Sequence, residues 1–430
     1  MKSSEDLPSA AGPLRKDVSA YLVAKALPGA IGLVAVTVLV RIAGVEEYGR
    51  YALLLAIATL GGVLSSTWLC QSILRMTPDG GLSAADLARV RWTYGIGSFG
   101  FAAVALTLGV ARSGTTDIWS AIWSGSFLIA FHLYAVELAL LQAHLKSVRF
   151  AVVEVARACL MLGLPLLLSL LVRPPSHGLL VGSALAYVGA WALLVRRRID
   201  PDKQSSGPVP EFDLGRLLRF GMPLSAWAGA SQALSVIDRY AVSHVLGDAA
   251  VGGYAAVYDV VVRGFGMALF PITMAVHPRI MRYALAGQHW QARAVLLRAG
   301  RAHALLGALL IPAGYALKGI LTERILGLPA GEFDELVLPL LVGAFLWQSA
   351  LLVHKPLEIA NATRYMLVGM LLALCVAVGG NLLLVESVGL IGAALSMILS
   401  ALAYILFIVF VKHRMALALP RPGPTETRHE

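Results

Sequence analysis

Apolar runs of about 20 residues recur from one end of this 430-residue chain to the other. A helix rises 1.5 Å per residue, so runs of that length match the ~30 Å hydrocarbon layer of a membrane. Composition agrees with lipid as the main solvent. The chain is 58% hydrophobic and 14% charged, with a mean hydropathy of +0.75. A soluble protein of this length needs far more polar surface to coat its core.

The periodicity predicts about twelve transmembrane helices, near 20–42, 50–70, 93–111, 118–142, 150–172, 178–195, 220–246, 250–273, 302–321, 335–357, 363–385 and 388–411. Prolines within spans (Pro28, Pro165, Pro312, Pro339) are compatible with helices here, because neighbouring groups can satisfy the freed carbonyls. The basic residues test this count. With the N-terminus inside, the outer segments hold only Arg41, Arg50, Arg112, Arg173, Lys318 and Arg324 of the 35 Lys and Arg residues, and most of the rest fall inside. A one-span error would scramble that alternation, so both termini are expected in the cytoplasm. The same distribution accounts for the net charge of +10 and argues against nucleic acid, which would call for a basic stripe interleaved with aromatics. The longest break, RRRIDPDKQSSGPVPEFDLGRLLR, divides the chain into an N-terminal six-helix bundle (1–200), a cytoplasmic linker (201–219) and a C-terminal six-helix bundle (220–430). Leu82–Arg91 reads as an amphipathic surface helix.

The halves share a local pattern. RIAGVEEYGRYA (Arg41–Ala52) aligns without gaps on HVLGDAAVGGYA (His244–Ala255), pairing Gly44 with Gly247, Gly49 with Gly252, Tyr51 with Tyr254 and Ala52 with Ala255. An even number of spans separates the copies, so the expected symmetry axis runs along the membrane normal, with a central cavity between parallel repeats. The alternative is a short-turn solution common to many helix pairs.

Three stretches resemble a known family. VRIAGVEEYGRYALLLA is similar to the first turn of the polysaccharide exporters, and SVIDRYAVSHVLGDAAVGGYAAVYDV (Ser235–Val260) to their seventh-span signature. GGNLLLVESVGLIGAALSMILSALAY, with Asn381, Gly389, Gly392, Ala393 and Ala394, is similar to the eleventh-to-twelfth-span stretch. One departure is Val385-Glu386-Ser387, where relatives often carry a proline. The resemblance is to oligosaccharide flippases of the multidrug/oligosaccharidyl-lipid/polysaccharide exporter superfamily. It implies two bundles alternating access to a central cavity and a substrate carried on polyprenyl diphosphate. It also implies a setting of membrane lipids, a polysaccharide polymerase and assembly proteins.

Ionisable groups within spans are costly and are therefore functional candidates. Arg239 and Arg263, with Lys25 assisting, are the expected substrate-binding residues: a lipid diphosphate needs cations to replace its water, and Arg offers forked donors. Asp238, Asp259, Glu137 and Glu154 are the ion-coupling candidates. The alternative for each is structural. Asp259 and Arg263, four apart, and Glu154 and Arg157, three apart, can pair along one helix, and Lys25 can snorkel. His132 is expected to be packed or hydrogen-bonded, and Pro28-Gly29 is a candidate hinge or static kink.

Cys70, Cys159 and Cys375 lack metal-like spacing and read as packing residues. There is no G-x-x-x-x-G-K-[ST] loop, no H-E-x-x-H and no G-x-S-x-G elbow, so neither enzyme nor cofactor nor metal is expected. The competing readings are a cation-coupled drug exporter of the same superfamily and a membrane-embedded polymerase or ligase. The first requires a more acidic cavity, the second a sizeable outer loop.

Overall fold

The computed structural model describes residues 11–76, 118–144, 146–196, 214–360 and 362–415, with side chains from residue 24 onward except those of 76, 214, 216, 270 and 285. Among the described residues every regular element is helical. The helices are α1 (Ala11–Ala43), α2 (Val45–Met76), α3 (Ile118–Ala143), α4 (Ser147–Leu171), α5 (Pro175–Val195), α6 (Leu214–Leu246), α7 (Asp248–Leu285) and α8 (His289–Ala316). After a π-helical turn (Ile320–Ile325) come α9 (Val337–Val353), the short α10 (Lys355–Ile359), α11 (Thr363–Val388) and α12 (Leu390–Arg414). Among the described residues, 9 helices are long and apolar enough to cross a membrane, or up to 10 if bent α7 counts as one span. The chain is an all-α, multi-pass membrane protein.

Each expected span except the third lies on one of these helices. The third span (93–111), the stretch Leu82–Arg91 and linker residues 201–213 lie outside the described residues. α6 is long but less apolar, with Ser225, Ser231, Gln232 and Ser235 along its middle. α7 turns by 42° between Leu269 and Pro271, where the proline ring removes a backbone donor.

The chain divides into two compact units: Met1–Ala35 with Leu54–Ala228, and Val36–Leu53 with Gly229–Glu430. In the first, α5 packs along α4 and α3 over a core that includes Phe127, Tyr134, Phe150 and Tyr187. Lipid tails are as apolar as leucine, so helices in a membrane associate through close packing rather than exclusion from water. Gly178 and Gly182, one turn apart on α5, provide it: a Cβ at either would collide with the α4 backbone at Leu168 or Pro165.

In the second unit α9 packs against α7, α8 and α12, and α11 lies along α12. The two repeated turns also belong here. Gly44 and Gly247 have φ of +89° and +85°, a left-handed conformation that spares only glycine, and each joins two helices as a single residue. Tyr51 and Tyr254 are buried at equivalent positions, as are Ala52 and Ala255. The paired glycines also face each other's turns. A Cβ on Gly49 would strike the Asp248 carbonyl, and one on Gly252 the Val45 carbonyl. The sequence repeat is thus a conformational repeat at these turns.

Candidate functional site

The C-terminal unit carries two buried polar networks that begin on adjacent residues of α6. Successive side chains on a helix point about 100° apart, so Asp238 and Arg239 reach different neighbours. The Arg239 Nη2 donates to Asp259 Oδ1 on α7 at 2.8 Å. Arg263, one turn further along α7, approaches the same oxygen at 3.4 Å. The Tyr48 hydroxyl, from the repeated turn, donates to Asp259 Oδ2 at 3.3 Å. The Arg239 guanidinium also lies over the Tyr258 ring at 5.6 Å, an attractive placement against the ring's negative face. One carboxylate therefore faces two guanidiniums. Donor capacity remains: buried Arg239 Nε has no partner among the described residues, and the Arg263 side chain is 48% exposed.

Asp238 is held by neutral donors. Asn381 Nδ2 on α11 donates to its Oδ1 at 2.8 Å, and the Tyr254 hydroxyl on α7 donates to its Oδ2 at 3.1 Å. Asn381 Nδ2 also lies 2.9 Å from Ser396 Oγ on α12, and the hydroxyl in turn donates to the Ala377 carbonyl. Asn381 Oδ1 is left buried and unpartnered among the described residues. Three helices thus meet at this carboxylate, and a fourth, α12, is joined to it through Asn381.

The N-terminal unit holds a third network. Glu154 on α4 pairs with Arg157 at 3.0 Å, one turn along the same helix, and accepts from the Tyr134 hydroxyl of α3. The Arg157 guanidinium lies 5.8 Å from the Tyr134 ring and 5.4 Å from that of Tyr187. Lys25 belongs to this unit. Its ammonium stands 5.9 Å from the Phe150 ring, one turn before Glu154. Glu137 is buried on α3, and His132 shares a hydrogen bond with Ser65 at 3.1 Å.

The expected residues are therefore grouped as Arg239, Arg263 and Asp259 in one network, Asp238 in a second, and Lys25 and Glu154 around α4 in the other unit. A fourth cluster, centred on Lys355, escaped the sequence reading. Lys355 is buried, with its ammonium 2.8 Å and 2.9 Å from the two Glu358 oxygens, and His354 and His277 contact the same carboxylate at 3.1 Å and 3.2 Å. The available signal was the spacing of His354, Lys355 and Glu358, which places all three on one helical face.

Solved structures with similar folds are membrane transporters. The lipid II flippase MurJ, in an inward closed conformation, is 12% identical with a TM-score of 0.71, over 91% of this chain and 87% of its own. A MATE-family multidrug resistance transporter of the MOP superfamily, facing inward, is 14% identical with a TM-score of 0.66, over 92% of this chain and 98% of its own. The Vibrio cholerae MATE transporter VcmN is 15% identical with a TM-score of 0.63, over 95% and 98%. At such identities the likeness establishes the fold. Among curated proteins none matches the chain by sequence. The family model described as "Polysaccharide biosynthesis protein" matches residues 14–284, more than half of the chain, and the chain belongs to that family.

Proposed function

We propose that this protein is a flippase that carries a polyprenyl-diphosphate-linked oligosaccharide across the bacterial inner membrane by alternating access. The observation that carries the reading is the imbalance at Asp259, one carboxylate between Arg239 and Arg263. A surplus cation inside a membrane needs an anionic partner. A diphosphate would take up the spare donors of Arg239 and the open guanidinium of Arg263, with geometry suited to arginine forks. Lys25, the third cation expected from the sequence, belongs to the other unit. A fold shared with a lipid flippase suits a cargo borne on lipid.

For the driving ion we assign Asp238 ahead of Asp259, Glu137 and Glu154. Asp259 and Glu154 are bonded to arginines, whereas among the described residues Asp238 is hydrogen-bonded only to neutral groups, beside the Asn381 oxygen that has no partner there. A carboxylate so placed is free to exchange a proton or a metal cation.

The test is surface-glycan export in a strain lacking the gene, complemented with Arg239→Ala or Arg263→Ala. Each variant should reach the membrane at normal yield and export little glycan, with lipid-linked precursor accumulating inside. Well-folded variants with full export would reduce both arginines to structural partners of Asp259.

A further inference from the structure

His277 occupies a position that its neighbours make bistable. Its Nδ1 lies 3.2 Å from the Lys355 ammonium and 3.2 Å from Glu358 Oε2. Lys355 has only donors, so it requires an unprotonated Nδ1; the carboxylate accepts, so it requires a protonated one. Both demands cannot be met at once. The other histidine of the cluster is in a different position. His354 Nε2 faces Glu358 Oε1 at 3.1 Å and its Nδ1 faces the Tyr404 hydroxyl at 3.0 Å, so a neutral ring donating from Nε2 and accepting at Nδ1 satisfies both. His354 is 3% exposed, whereas the His277 side chain is 47% exposed.

We propose that His277 is a proton-binding site whose occupancy sets how the inner segment of α7 is held against α10. Without the proton, His277 accepts from Lys355, and Lys355 in turn binds Glu358. With the proton on Nδ1, His277 becomes a cation that pairs with Glu358 and repels the Lys355 ammonium, which must move away. The groups facing His277 are Lys355 and Glu358 of α10 and His354 at the α9–α10 junction, and one carboxylate cannot balance both a lysine and an imidazolium at full strength. The helix geometry allows a response. His277 lies on the segment beyond Pro271, already turned 42° from the rest of α7, and Pro278 removes a further backbone donor beside it. α7 also carries Asp259 and Arg263, so the site and the anion network share one helix. A role in transport rests on the flippase reading above; proton binding by itself does not.

Two measurements on the purified full-length chain in lipid nanodiscs, with no glycolipid present, test this. The first is proton uptake on acidification from about pH 8 to about pH 4.5, a window carried below the ordinary imidazole range because burial and the neighbouring Lys355 ammonium hold His277 lower. His277→Gln should take up about one proton fewer per chain than wild type, and equal uptake would overturn the proposal. The second is the distance between spin labels at Ala286 and Thr363, in a background free of Cys70, Cys159 and Cys375. The wild-type distance should shift on acidification, and the shift should vanish in His277→Gln and in Glu358→Gln. A shift that persists in His277→Gln, or none in wild type, would sink the switch. Export assays on the arginine variants are independent of both, so failure here leaves the flippase reading standing.

Discussion

Asp259 and Asp238 lie on adjoining helices, yet their surroundings prescribe different behaviour. Asp259 binds charged donors, and loss of one arginine leaves it paired to the other. Arg263→Ala should therefore remain folded while losing a charge-assisted contact of about 1.5–3 kcal/mol to the anion, roughly a ten- to hundredfold loss of affinity. Arg263→Lys keeps charge but not the fork, and its export should fall between those of alanine and wild type. An export level for lysine at or below that of alanine would show that charge is not what the site uses. Among the described residues no cation is bonded to Asp238. Asn381→Ala removes a donor from a buried carboxylate and should lower stability by about 1–3 kcal/mol, seen as a lower Tm in detergent. In an Asp238→Asn background the same change should cost less, because a neutral acceptor tolerates a lost donor better; strictly additive effects would argue against the pairing. Which of these contacts could be read from the sequence follows from their range. Glu154 with Arg157 and Asp259 with Arg263 are helix-periodic neighbours, visible as spacings of three and four. Arg239 with Asp259, Asp238 with Asn381, and His277 with Glu358 join separate helices, and no periodicity announces them. Asp238 and Arg239 are adjacent in the sequence, and the direction of each side chain from α6 separates their partners.

Among the elements, the repeated turn is where the sequence was most legible, because its glycines have physical reasons that local pattern exposes. Gly44 and Gly247 meet the left-handed turn, and Gly49 and Gly252 permit the two turns to touch. What the alignment did not reveal is that both copies belong to the same compact unit, since Val36–Leu53 groups with Gly229–Glu430. Long-range packing decides that. A Cβ at Gly252 has no space beside the Val45 carbonyl, so Gly252→Ala should force the helices apart and destabilise the protein by about 1–3 kcal/mol. Gly163→Ala on α4 is the matched control, as nothing lies within 4 Å of its added methyl. There the gain in helix propensity, of order 0.5–1 kcal/mol, should leave the Tm equal or higher. Equal losses for the two substitutions would remove the close approach as the reason for the glycine. The span limits were less legible than the turns. α6 falls short on apolarity because serines and Gln232 line its middle, and α7 runs far past its expected end because Pro271 bends the helix without stopping it.

For the molecule as a whole, charge is what orients the helices. The end of α7 and the first half of α8, on either side of their connection, carry Arg279, Arg282, Arg293, Arg298 and Arg301, and from Val260 to Thr322 the chain contains no Asp or Glu. Translocating such a segment outward is unfavourable, so this connection, and with it the break at 196–219, should face the cytoplasm. The opposite surface then carries the turns at Gly44 and Gly247 and the segment between α8 and α9, where Lys318 donates to Glu335 and the Glu323 carboxylate accepts from the Gly331 amide. These are mixed or acidic groups, consistent with the outer side. The two faces can be told apart by chemistry. In a cysteine-free background, a cysteine placed at Ser205 should be shielded from an impermeant thiol reagent in intact cells and react once the membrane is opened. One placed at Gly331, an exposed turn residue with φ of +73°, should react in intact cells. Both sites lie outside the helices predicted to cross the membrane, so bilayer burial does not account for a difference between them. Reversed labelling would invert the orientation and move the His277 cluster to the outer face. Equal labelling would place an odd number of crossings in error between the two positions, and the assignment of six spans to each half would fall with it.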